Sequence, residues 1–330
     1  MKGEVKRMWA RPRQDRGVGL GSLRRVVGPI ALALLAVVVG LAALLAVAAF
    51  GFDVLSHFAP VYLAVGLGGG LTAVALRRLQ TSRFILACGL IATLGAGALM
   101  APEFRREPAQ QAPASTAGQI KLIQLNAYKR NADIRRVADW LIAQDPDIVT
   151  LQEARHDLRD ELMRRTDWQV AGAKEHVMIF SRARRIRMVR PPLKHGGLTY
   201  LNATYAGPTG PYEVITTHFD WPTSPTYRRQ HEDLAGLTAA LPRDRMIVTG
   251  DLNTTPWSRA LRRTDAALGL HRVDRAIFSW PARVHGKAWP VPVLPIDHVY
   301  VGRGWRIVSI ERGPSLGSDH YPLVVILTPN

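Results

Sequence analysis

The sequence predicts an α/β domain over residues 119–330 carried behind a membrane region, on three observations. Apolar, uncharged runs are confined to the first hundred residues, a strand–helix–strand unit follows soon after them, and strand after strand ends in a polar, reactive residue. At 330 residues the chain has room for two domains, or for one domain with additions.

The apolar runs come first. Pro29–Phe50 reads "PIALALLAVVVGLAALLAVAAF", and Pro60–Leu76 and Phe84–Met100 are two further stretches without charge. Each approaches the ~20 residues that cross a bilayer, and their Gly and Ala content suits close helix packing in lipid. Ala46-Val47-Ala48 resembles a signal-peptide cleavage site, but the apolar core before it is too long for one and two more runs follow. Three membrane helices are therefore predicted within residues 29–100. The tail of residues 1–28 carries Lys2, Lys6, Arg7, Arg11, Arg13, Arg16, Arg24 and Arg25 against Glu4 and Asp15. The loop "GFDVLSHFAP" has no Lys or Arg, and the next, "RRLQTSR", has three arginines. Lys and Arg concentrate on the cytoplasmic side, so the tail and second loop are expected inside and everything after Met100 outside. The single cysteine, Cys88, lies in the third run, which leaves the external domain without disulfides.

The formal net charge is +17. A basic external domain attracts nucleic acid or anionic lipid, yet an arginine-rich composition produces the same balance, and charge alone does not choose. Residues 101–118, within "APEFRREPAQQAPASTAGQ", lack periodicity and read as an extended linker.

In the domain that follows, Ile120–Leu125 is predicted as a strand ending at Asn126. Ile134, Val137, Leu141 and Ile142 are spaced for a helix over Asp133–Gln144, stopped by Asp145-Pro146. Ile148–Leu151 is a second strand, ending at Gln152-Glu153. Such a unit is normally parallel and right-handed, which brings Asn126 and Glu153 to one edge. Further strands are predicted at Val177–Ser181, Leu198–Tyr205, Tyr212–Thr217, Met246–Thr249, Ile296–Val301, Ile307–Glu311 and Leu323–Leu327. They lead into or out of His218, Asp251 with Asn253, Asp297, and Asp319 with His320. Singly these are weak signals: Asp251-Leu252-Asn253 reads equally as an Asx-type turn, and a lone histidine at a strand end is usually a surface residue. Together, in one domain, they suggest a site.

The ordered set "QLNAY", "LQEA", "TTHF", "GDLN", "PIDHVYV" and "GSDHYPL" resembles the endonuclease/exonuclease/phosphatase (DNase-I-like) superfamily over residues 119–330. The resemblance implies a four-layer α/β/β/α sandwich of two mixed sheets with the site at one edge. The preceding helices make the chain similar to membrane-anchored bacterial members, which implies a multi-pass protein of the cytoplasmic membrane. Phosphodiester cleavage needs a hard cation, and Mg²⁺ (with Mn²⁺ as a substitute) prefers carboxylate, amide and water oxygens. Glu153 is the principal ligand on this reading, with Asn126 and Asp319 beside it. Asp251 orients the attacking water, Asn253 donates to a phosphate oxygen, His320 held by Asp297 donates to the phosphate, and His218 assists the leaving group. His298, adjacent to Asp297 in a strand, points to the other face and reads as structural.

Two departures stand out. His176 and Met178 in "HVMIFSRARRI" are unusual for the family, and the compact domain lacks elaborate substrate loops. Trp221, Trp257, Trp280 and Trp289 are candidates for the mouth of the site, where they would stack on a base or lie against lipid; each is equally a candidate for the core, the commoner fate of tryptophan. The expected protein is a membrane-anchored, Mg²⁺-dependent hydrolase of a phosphodiester, with nucleic acid as one candidate substrate. The alternatives are a hydrolase of phospholipid headgroups or other phosphate esters, and a binding protein that has kept the fold. No protein partner is inferred.

Overall fold

The structure, a computed structural model, describes residues 20–48, 53–75, 82–172, 177–189, 197–207 and 209–330. The tail before Leu20, most of the second arginine-bearing loop and His176 lie outside the described residues. Four helices open the chain: α1 (Leu20–Ala48), α2 (Asp53–Ser56), α3 (Ala59–Ala75) and α4 (Ser82–Arg105). The remainder begins β1 (Ile120–Asn126), α5 (Ile134–Gln144), β2 (Ile148–Gln152), α6 (His156–Arg165), β3 (Gln169–Ala171), β4 (Val177–Ser181) and β5 (Arg185–Val189). It continues β6 (Thr199–Tyr205), β7 (Tyr212–His218), α7 (Tyr227–Ala239), β8 (Met246–Asp251), α8 (Arg259–Leu268) and β9 (His271–Arg272). A small ribbon, β10 (Arg283–Val284) and β11 (Lys287–Ala288), precedes β12 (Asp297–Val301), β13 (Trp305–Arg312) and β14 (Leu323–Pro329).

The strands form two six-stranded mixed sheets, ordered β13-β14-β1-β2-β4-β3 and β5-β6-β7-β8-β12-β9. The β1-α5-β2 unit is parallel as expected, with Asn126 opposite Gln152. Asp133 caps α5 through its side chain, and Asp145 ends the helix in the left-handed conformation. Period-two alternation assigns each strand two faces. Leu122, Ile148, Ile179, Val214, Ile247, Val299 and Val325 pack in the cluster between the sheets. Ile123, Leu125, Val149, Leu151 and Phe180 face the other way, onto Val137 and Leu141 of α5 and Leu158 and Leu162 of α6. Ile215, Val248 and Tyr300 pack with Leu234 of α7 and Leu261 of α8. The result is the four-layer sandwich.

The N-terminal helices differ from expectation in extent. Among the described residues one helix, Ser82–Arg105, is long and apolar enough to cross a membrane; Leu34–Ala48 and Ala59–Ala75 are shorter apolar stretches. Among the described residues one span, where three were expected, meets both the length and the composition of a crossing. The helices nonetheless pack closely: a Cβ on Gly66 would lie 2.8 Å from the Gly89 carbonyl oxygen, which requires small residues at that crossing. The expected linker is also corrected. Its first residues complete α4, Ala109 enters the inter-sheet core, and the Gln110 and Ala112 backbones bond to Ile307.

The end of α4 is joined to the second sheet by buried charge. Glu103 binds Arg272 at 2.5 Å, and Arg272 reaches Asp265 at 3.1 Å and Asp274 at 3.3 Å. Asp274 in turn accepts from His298 Nδ1 at 2.8 Å and from the Val299 amide. Burial works against ionising Asp274, but His298 and Arg272 outweigh it and hold the carboxyl well below the usual carboxylate range. A depressed pKa contributes stability above the unfolded-state value and loses it as the pH falls through the folded one. Asp274→Asn, which leaves two buried cations short of a partner, is expected to destabilise by ~3–5 kcal/mol. Denaturant unfolding should find that deficit undiminished from about pH 7 to 5 and shrinking below the ordinary aspartate pKa of ~3.9.

Candidate active site

The site is the polar end of the rows that face each other between the sheets. Along β1 the inward row runs Ile120, Leu122, Gln124, Asn126. Along β7 it runs Val214, Thr216, His218, and along β8 Ile247, Thr249, Asp251. Register then fixes the neighbours: His218 lies opposite Asp251 across a parallel pair, and Asp297 lies opposite Asp251 across an antiparallel one. The structure brings all eight residues expected of the site to this edge.

Asp251, Asp297 and His320 are buried, with side-chain atoms within 4.8 Å of one another. His320 Nδ1 donates to Asp297 Oδ2 at 2.8 Å, and its Nε2 is 3.5 Å from Asp251 Oδ2. Burial opposes a charge on this ring, but the Asp297 and Asp251 carboxylates prevail and push its pKa up to about 10. His320 is therefore an imidazolium, with no lone pair for a metal. The two carboxylates are not equivalent. Asp297 takes the short bond from His320 and another from Gln124 at 2.9 Å, and despite burial is held below the carboxylate range. Asp251 is pushed above it, first by burial, with the Asp297 charge adding to the push against His320 and His218. Asp251 is thus the carboxylate readier to take a proton.

Oxygen atoms gather on the other side. Glu153 accepts from the Lys129 amide at 3.2 Å and lies 3.9 Å from His218 Nε2. Burial would raise its pKa, but the Lys129 amide and the His218 charge hold the carboxyl below its ordinary value. Asn126 donates to Asp251 at 3.0 Å, with a longer contact to Glu153 at 3.5 Å, while its Oδ1 accepts from the Tyr128 amide. A carboxamide oxygen retains a second lone pair in that arrangement. Asp319 Oδ2 accepts from the Trp280 indole at 3.4 Å, and its Oδ1 is buried with no hydrogen-bond partner. Burial raises the Asp319 pKa; His320 and the indole oppose that, and the Glu153 carboxylate adds to it. Two mutually repelling carboxylates and a bare buried oxygen form an oxygen-rich niche for a hard cation.

The turn after β8 combines both readings of its sequence. Asp251 Oδ1 accepts from the Asn253 amide at 2.9 Å, as an Asx turn requires, while Oδ2 points into the site. Asn253 Nδ2 donates to the Phe219 carbonyl at 2.8 Å, leaving its second N–H for a ligand. Asn253 and Glu153 both have left-handed backbones, at φ 47° and 48°. Asparagine tolerates this and glutamate does so at a cost of ~1–3 kcal/mol, as happens where function fixes a side chain.

A family model described as the Endonuclease/Exonuclease/phosphatase family matches residues 123–320. The chain belongs to this family. Among solved structures, an endonuclease/exonuclease/phosphatase from Beutenbergia cavernae aligns with 18% identity and a TM-score of 0.50, covering 64% of this chain and 72% of its own. Zebrafish (D. rerio) TDP2 complexed with a single-strand DNA product aligns with 15% identity and a TM-score of 0.54, covering 64% and 99%. The mannosyl-6-phosphatase Bt3783 of Bacteroides thetaiotaomicron aligns with 13% identity and a TM-score of 0.52, covering 63% and 99%. At these identities the likeness is one of fold. No curated protein sequence matches the chain.

Several residues complete this family site without having been expected there. Gln152 accepts from Gln124 at 2.7 Å and donates to Thr216 at 2.8 Å, carrying a polar chain from one sheet to the other behind Asp297. Ser318 donates to the Asn126 carbonyl at 2.6 Å and accepts from the His320 amide. Their signal was the alternation itself, since they share the inward parity or flank the "SDH" motif. His298 is buried on the far face, as expected. Of the four tryptophans, Trp280 touches Asp319 and packs edge-on at 5.6 Å against the half-exposed Trp221. Trp289 is partly exposed near Tyr321. Trp257 is not at the mouth; it is fully buried against the N-terminal helices, where its size fills the junction.

Gly250 explains why a glycine precedes Asp251. A Cβ there would fall 2.1 Å from the Thr217 carbonyl oxygen, a backbone atom that cannot swing away. The close approach is what seats Asp251 beside His218. Gly250→Ala is expected to lower stability by ~1–3 kcal/mol or more through overpacking and to cut any turnover sharply; a melting temperature equal to the parent's would contradict this.

Proposed function

We propose that this chain is a membrane-anchored, Mg²⁺-dependent phosphoesterase that hydrolyses a phosphodiester by attack of water. The observation that carries the reading is Asp251, a buried carboxylate biased toward accepting a proton, set between a protonated His320 and the oxygen niche of Glu153 and Asp319. The residues fit a hard cation: Glu153 is held ionised, Asp319 Oδ1 lacks a partner, and Asn126 keeps a lone pair. Glu153 and Asp319, with Asn126 beside them, would hold Mg²⁺ or Mn²⁺. When bound, such an ion neutralises phosphate charge and the charge that develops on oxygen.

Asp251 orients the water and takes its proton. His320, fixed by Asp297, and the free N–H of Asn253 donate to the phosphate oxygens. His218, whose side chain is partly open to solvent and 3.5 Å from Asp251, serves the leaving group. Nucleic acid suits the chain's basic balance, and the DNA-bound TDP2 shares the fold. Phospholipid headgroups are favoured by a separate observation. The Asp251–Asn253 turn runs directly into Trp257, which is packed on the apolar N-terminal helices, and this keeps the site near a bilayer. The anchor reading rests on α4 and on side chains such as Val38, Leu71 and Leu94, which are 64–74% exposed and apolar. The arginine distribution in the sequence supports a catalytic domain outside the cytoplasm.

The test is hydrolysis by the purified full-length protein in detergent, with bis(4-nitrophenyl) phosphate, single-stranded DNA and phospholipid as substrates, in Mg²⁺ or chelator. Chelator should abolish turnover. Asp251→Asn should keep its melting temperature within a few degrees while turnover falls by at least ~100-fold; near-normal turnover would return "GDLN" to a simple turn. Glu153→Gln should weaken Mg²⁺ binding by calorimetry and depress activity, with folding retained. Unchanged metal affinity would remove Glu153 from its role.

A further inference from the structure

The peptide unit joining Thr254 to Thr255 is gripped at both ends by histidines from outside the turn. On one side the Thr255 amide donates to His57 Nδ1 at 3.1 Å, and Thr255 Oγ1 lies 3.0 Å from the same nitrogen. On the other side the Thr254 carbonyl accepts from His298 Nε2 at 2.7 Å. This peptide begins one residue beyond Asn253.

Each histidine leads back to the N-terminal helices. His57 sits in the loop between α2 and α3, outside the apolar segments, and its carbonyl accepts from the Trp257 indole at 3.0 Å. Two residues further on, both oxygens of Asp53 accept from the first amides of α8, Arg259 at 2.8 Å and Ala260 at 3.0 Å. These amides are ones a helix leaves unpaired. His298 is linked through Asp274 and Arg272 to Glu103 near the end of α4. Its two ring nitrogens face acceptors only, so both carry hydrogen and the ring is an imidazolium. Burial pushes the His57 ring the other way, down to about 4, which keeps it neutral and able to accept. Its Nε2–H is buried with no partner, so the residue does not owe its place to bonds within its own loop.

We infer that His57 and Glu103 are positioning residues: by holding the Thr254–Thr255 peptide from both ends, the N-terminal helices set the turn that carries Asp251 and Asn253. The inference rests on the phosphoesterase reading for its effect on turnover, but the docking itself stands on geometry. Neither residue touches the reacting atoms. The segments joined are some two hundred residues apart in sequence (positions 57 and 255), and the contact makes the helices part of the catalytic machinery's support.

The experiment uses the full chain in detergent and three variants. His57→Leu keeps bulk but removes the acceptor; His57→Asn restores an acceptor through its carboxamide oxygen; Glu103→Gln weakens the other arm while leaving Arg272 its contacts with Asp265 and Asp274. Below the melting temperature of every variant, His57→Leu should lower kcat by roughly ten- to a hundredfold with KM within about twofold, and His57→Asn should recover most of the loss. Hydrogen exchange of residues 250–257 should accelerate by at least about tenfold in His57→Leu and not in His57→Asn. If His57→Leu does not fold, Glu103→Gln carries the test, with a several-fold fall in kcat and faster exchange in the same segment. Unchanged exchange and kcat, or an asparagine variant as impaired as the leucine one, overturns the inference. Faster exchange in His57→Leu together with a parent protein that hydrolyses none of the three phosphate esters in Mg²⁺ would instead refute the phosphoesterase reading and leave the docking intact.

Discussion

A protonated histidine between two buried carboxylates is the arrangement the rest of the domain has to accommodate. Each ion costs several kcal/mol to remove from water unless its partners are close and well oriented. Asp297 meets that demand with His320 and Gln124, and the chain continues through Gln152 to Thr216 on the facing sheet. Asp251 meets it with Asn126, the Asn253 amide and the two histidines. The requirement that these groups stand opposite one another fixes the registers of β7, β8 and β12. It also explains the glycine at position 250, since only without a side chain can β8 approach Thr217 closely enough.

From that arrangement follows a division of work between two halves of one cleft. One half, around Asp251, Asp297 and His320, is the one to which the proposed reading gives the protons: it is lined by groups whose hydrogens and lone pairs engage each other. The other half, built by Glu153 and Asp319, has negative charge and an unpaired oxygen, and on the proposed reading a cation would relieve the repulsion within it. The strained backbone at Glu153 belongs to this half, where the carboxylate meets the Lys129 amide, Asn126 and His218.

Much of this could be read from the sequence because β-strand alternation is a strong signal when both faces are buried. The inward rows change from Ile and Leu to Gln or Thr and then to Asn, His or Asp, and the predicted strands agree with the observed ones to within a residue or two at most ends. Gln124, Gln152 and Thr216 lie on the same parity and were passed over because an amide or hydroxyl in a strand carries no chemistry of its own. Helices α6, α7 and α8 were not foreseen for the opposite reason. The packed faces of α7 and α8 include Gln230, His231, Thr238 and Thr264, and α6 buries only Leu158 and Leu162, so the apolar stripe is too sparse to recognise. The contacts of Asp53, His57 and Glu103 were illegible because they depend on tertiary proximity between distant segments, and the choice between mouth and core for Trp257 stayed open for the same reason. Apolar composition at the N-terminus is legible as helical, and among the described residues one of the three stretches has both the length and the composition of a bilayer span.

The N-terminal helices, one of them long and apolar enough to cross a membrane, are thus joined to the endonuclease/exonuclease/phosphatase fold through the turn that follows Asp251. The central claim is the division of the cleft, and the most direct measurement is anomalous diffraction from crystals of the protein soaked in Mn²⁺. The account predicts a cation bounded by the carboxylates of Glu153 and Asp319, with His320 still bonded to Asp297. A cation bound instead within the Asp251, Asp297 and His320 group, with the His320 bond broken, would contradict it.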